Sequence, residues 1–129
     1  MGQQQLLLII LGVIIVGIAI AVGLSIFGAQ AVQSNKDAII NDLNNIAAQA
    51  YQYRVRPKTM TGGAGTYLGF TIPSKLASNE NAVYTSVATA DQVTFTAISV
   101  SNTVNTVIAT IDDKGNFIQT AWQYTGDFQ

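Results

Sequence analysis

The chain has 129 residues, enough for one modest domain once a membrane-length apolar segment is set aside. Hydrophobic residues make up 49% and charged residues only 10%, against about 25% in ordinary soluble domains, and a net charge of −1 provides no basic stripe for nucleic acid phosphates. The absence of Cys and His excludes disulfides, thiolate catalysis, Cys-based zinc sites and the commonest general base.

Residues 1–35 carry no charged side chain, and 6–29 are apolar apart from glycines and Ser25. Roughly 24 helical residues reach about 36 Å, enough to cross a hydrocarbon core of about 30 Å. A cleavable secretory signal has an apolar core of only about 7–15 residues behind a basic start, so this stretch is expected to remain as a transmembrane-length helix. Four glycines, Gly12, Gly17, Gly23 and Gly28, interrupt it. Each costs about 1 kcal/mol relative to alanine in a helix. The pairs Ala19 with Gly23 and Gly17 with Ala21 have the four-residue spacing of small side chains that lets helix backbones approach closely.

The helical pattern continues without proline to Pro57, with Ile39, Leu43, Ile46, Ala50 and Tyr53 recurring every three or four residues. Lys36, Asp37, Asn41, Asp42, Asn44, Asn45 and Gln49 supply the polar remainder. One helix over residues 6–53 is expected, on the order of 70 Å long, apolar all round in its first half and amphipathic in its second. Arg54, Arg56, Pro57 and Lys58 end it, with positive charge suited to the negative end of the helix dipole. The run containing Gly62, Gly63 and Gly65 then reads as a flexible hinge; a phosphate loop would need a preceding strand and a following helix.

Five strands are expected, over 66–72, 82–87, 93–100, 104–111 and 117–124, each rich in β-branched or aromatic residues. Asp112, Asp113, Lys114, Gly115 and Asn116 form a tight turn between the last two. Short links imply an antiparallel meander whose one face covers the helix stripe, with Ile118 and Trp122 of the last strand packed on the helix. The adjacent Asp112 and Asp113 suit local backbone hydrogen bonding rather than catalysis, and no metal or cofactor site is expected.

An uncharged start leading into one long helix, half apolar and half amphipathic, with a glycine loop and an antiparallel sheet behind it, resembles the type IV pilin superfamily. The resemblance implies an α+β fold in three segments. Residues 1–30 would be the transmembrane or filament-core half of the helix, 31–56 the amphipathic half docked on the head, and 57–129 the β-sheet head. It also implies a structural subunit and not an enzyme. Such a subunit is held in the inner membrane, handled by pilus assembly machinery, and polymerised with itself into an extracellular, cell-surface filament. On that reading Leu6, Leu7, Ile10, Gly12, Val13, Ile14, Gly17, Ala19, Ala21, Gly23, Leu24, Phe27 and Gly28 mediate polymerisation. Ile39, Leu43, Ile46, Ala50, Tyr53, Ile118 and Trp122 join helix to sheet. The family's glutamate at the fifth mature position has no counterpart, since Gln5 stands there if Met1 is the first residue and Leu7 if cleavage follows Gly2. An unprocessed start would imply a divergent assembly route. The alternative is a monomeric, single-span anchored binding module or minor pseudopilin.

Overall fold

The computed structural model describes residues 2–129. Helix α1 covers Gly2–Val55, and a short α2 covers Ser74–Ala77. Strands β1 (Ala82–Ala88), β2 (Val93–Ser99), β3 (Thr106–Ile111) and β4 (Gln123–Tyr124) form one antiparallel sheet in the order β1-β2-β3-β4. The fold is therefore α+β, with a long N-terminal helix and a C-terminal meander. The chain divides into two compact units, the first ending at Gln33 and the second covering Ser34–Gln129, and α1 contributes to both.

In the second unit, α1 buries Ile39, Leu43, Ile46, Ala47 and Ala50. The buried face of the sheet alternates large and small residues across the register: Phe95 lies opposite Ala109, and Ala97 lies between Tyr84 and Val107. That alternation lets side chains interdigitate, and each fully buried Ile, Leu or Phe contributes about 1.5–3 kcal/mol. The opposite face carries Thr85, Thr94, Thr96, Thr106, Thr110, Val83, Val87 and Ile108, with no charge.

Three expectations are corrected. Residues 66–72 form no strand. Tyr67 and Phe70 are both buried, and residues three apart point to opposite faces of a strand. The chain turns instead, the Phe70 amide donating to the Tyr67 carbonyl, and Gly69 takes a φ of +84°.

The segment 117–124 is a strand only at Gln123–Tyr124. After the bridge between Ile111 and Phe117, a regular ladder would set Ile108 against Thr120. It pairs with Gln123, and the intervening chain leaves the ladder as the 3₁₀ turn Gln119–Ala121. The third correction concerns the glycine run, which is an ordered cap. The amides of Gly63, Ala64 and Gly65 donate to the carbonyls of Tyr53 (2.7 Å), Arg56 (2.9 Å) and Arg54 (2.6 Å). The Tyr53 and Arg54 carbonyls belong to the last turn of α1 and have no partner inside the helix, and that of Arg56 lies just past its end.

Candidate functional site

The apolar part of α1 has the length and composition to cross a membrane and is compatible with membrane anchoring. Its side chains are uncovered within the chain: Leu6 is 61% exposed, Ile14 53%, and Phe27 72%. A residue advances about 100° round an α-helix, so Gly12, Ala19 and Gly23 fall within an arc of about 40°. Gly17, Ala21 and Gly28 fall within a second arc of similar width, centred about 160° away. Ile10 and Ile14 lie on that second side, while Leu6, Val13 and Leu24 lie on the flank between the two. Leu7 lies on the flank opposite. A Cβ built on any of these four glycines would meet nothing within 4 Å, so both small-residue faces are open.

Ile39, Leu43, Ile46 and Ala50 of the amphipathic half are buried, as the spacing predicts. Tyr53 is half-buried at the end of the stripe, its hydroxyl donating to the Leu68 carbonyl at 2.8 Å and its ring 5.6 Å from that of Phe70. Ile118 and Trp122 are corrected: both are only half-buried. The looped-out turn sets Trp122 in an aromatic row, 4.9 Å from Phe117 and stacked 6.0 Å from Tyr124. Among the described residues, the largest fully buried aromatic side chains are Tyr67, Phe95 and Phe128.

Polar residues of α1 clasp the head, among them Asp42 and Lys36, which the pattern sets apart from the apolar stripe. The Asp42 carboxylate accepts from the Tyr84 hydroxyl at 2.6 Å and the Asn79 amide at 2.7 Å. Burial, reinforced by that carboxylate, pushes the Tyr84 phenol well above its ordinary value. Asn35 accepts from the Ser99 hydroxyl at 2.7 Å, and the Lys36 ammonium donates to the Phe128 carbonyl at 3.1 Å while lying 4.2 Å from the centre of the Tyr124 ring. Arg54 donates to the Ala90 carbonyl at 3.1 Å, lies 3.7 Å from the Asp91 carboxylate, and covers the buried Tyr67 ring.

Asp112 behaves as a turn residue. Its Oδ1 accepts from the amides of Asn116 and Lys114, both at 2.9 Å, and the Asn116 contact foremost holds its carboxyl below the usual range. Gly115 takes a φ of +81°, and the Tyr51 ring lies against it.

Beside the helix cap lie two open hollows that share Tyr53. One, of about 530 Å³, is lined by Lys58, Gly62, Gly63, Thr66 and Leu68. The other, of about 160 Å³, is lined by Gln49, Arg56, Phe70 and Thr71. No family model, curated protein or solved structure matches the chain.

Proposed function

We propose that this chain is a structural, non-catalytic subunit of a type IV pilin-like filament, held in the inner membrane and then polymerised with its own kind at the cell surface. The observation that carries the reading is the pair of small-residue faces on opposite sides of an uncovered apolar helix. Lipid covers any apolar side chain and gives no reason for four glycines, each costing about 1 kcal/mol in a helix. One small-residue face suits a closed pair, whereas two opposed faces suit a helix with neighbours on both sides, the condition for an open-ended polymer. The head would remain outside as the filament's outer surface.

Electron microscopy of material sheared from cells tests this reading. Fibres that contain the chain are the expected result, and a chain confined to membrane fractions would overturn it. That second result would favour a monomeric anchored binding module or minor pseudopilin, an alternative to which the hollows around Tyr53 lend support.

A further inference from the structure

We propose that the paired hollows around Tyr53 form a binding groove for an acidic oligosaccharide, with Arg56 and Lys58 as its anion contacts. The two hollows meet at one aromatic side chain, and each is lined by a single cation. Arg54 is already engaged by Ala90 and Asp91, whereas the side chains of Arg56 and Lys58 have no hydrogen bond or ion pair among the described residues. Both residues are exposed, so their charge is available to a ligand.

The rest of the lining narrows the chemistry. Gln49, Thr66 and Thr71 offer hydroxyl and amide groups matched to sugar hydroxyls, and the exposed Leu68 offers an apolar patch for a ring face. The Arg56 guanidinium presents a planar fork suited to a carboxylate, and Lys58 a point charge. Two separated cations in an open groove suit a chain that carries anionic groups at intervals better than a small enclosed anion. They are too few for nucleic acid, whose binding depends on neutralising many phosphates. All lining residues fall within 49–73, so binding is a property of each chain and can be read without assembly.

The full chain in a polyoxyethylene detergent is tested by equilibrium dialysis against a tetramer of galacturonic acid. Saturable binding is expected, with the neutral methyl ester of the same tetramer at least about tenfold weaker. The double variant Arg56→Gln, Lys58→Gln should lose about tenfold in affinity with an unchanged circular dichroism spectrum. Lys114→Gln, which removes an exposed cation outside the groove, should bind as the parent does. The proposal is overturned if the double variant binds as well as the parent, if the ester binds equally, or if Lys114→Gln loses as much. Binding of tetraglutamate or a single-stranded tetranucleotide as tightly as the sugar acid would also overturn it, since a general cationic patch would then account for the data.

Discussion

Gly63 lacks a side chain because the helix cap leaves no room for one. A Cβ there would collide with the Thr66 carbonyl oxygen and approach the Tyr53 ring to 2.9 Å, and the Gly63 amide must stay on the Tyr53 carbonyl. Gly63→Ala is therefore expected to lower stability by about 3 kcal/mol, through overpacking and a lost capping bond. Gly65→Ala meets no neighbour, only a φ of +94°, and should cost about 1 kcal/mol. Chemical denaturation of the full chain in micelles, followed by near-ultraviolet circular dichroism, separates the two. Equal losses would remove the steric account. A second residue-scale prediction concerns alkali. Burial raises the phenols of Tyr84 and Tyr67, so both keep their protons in the folded state at a pH where the unfolded chain loses them. Their contribution is complete below the ordinary phenol value of about 10 and is lost as pH rises towards the folded values. Stability should fall above about pH 10, by up to about 1.4 kcal/mol per pH unit for each phenol. Tyr84→Phe should flatten that decline, and an unchanged slope would show that Tyr84 does not cause it.

Helix α1 carries the assembly prediction, because its two small-residue faces can be blocked separately. Gly23→Leu obstructs the face of Gly12 and Ala19, and Gly17→Leu obstructs that of Ala21 and Gly28. In an open-ended polymer each joint uses the first face of one helix and the second face of its neighbour, so either change alone should already yield inserted monomers, as read by cross-linking in membranes. Normal fibres from either single variant would mean that the face it blocks is not used. What was legible beforehand follows the same division between local and distant causes. The stripe Ile39, Leu43, Ile46 and Ala50 is a local period and reads directly. The place of Tyr67 depends on distant partners, its amide donating to the Ala90 carbonyl and its hydroxyl to that of Asp112, which β-propensity alone does not register. Trp122 was misplaced because the three-residue shift in pairing between Ile111 and Ile108 leaves no signature in the alternation of residues 117–124. Composition alone makes the glycine run a hinge, because its hydrogen-bond acceptors, the carbonyls of Tyr53, Arg54 and Arg56, are invisible to it.

On the scale of the whole molecule, charge is scarce, above all along the apolar half of α1 through which subunits of the proposed filament would meet. The chain carries a net charge of −1, the apolar half of α1 has no charged residue, and the outer sheet face is built of Thr, Val and Ile. Cohesion would then come from helix packing, which salt does not weaken: at about 1 M the screening length is about 3 Å, affecting exposed charge pairs but not apolar contact. Detergent is the effective agent, because its tails can cover Leu6, Ile14 and Phe27 as sister helices would. Sheared fibres should keep their length distribution in about 1 M sodium chloride and break down to single chains in nonionic detergent, as read by electron microscopy and sedimentation. Dissolution by salt alone would place the cohesive contacts between charged groups on the heads, and the small-residue faces of α1 would lose their role in holding the polymer together.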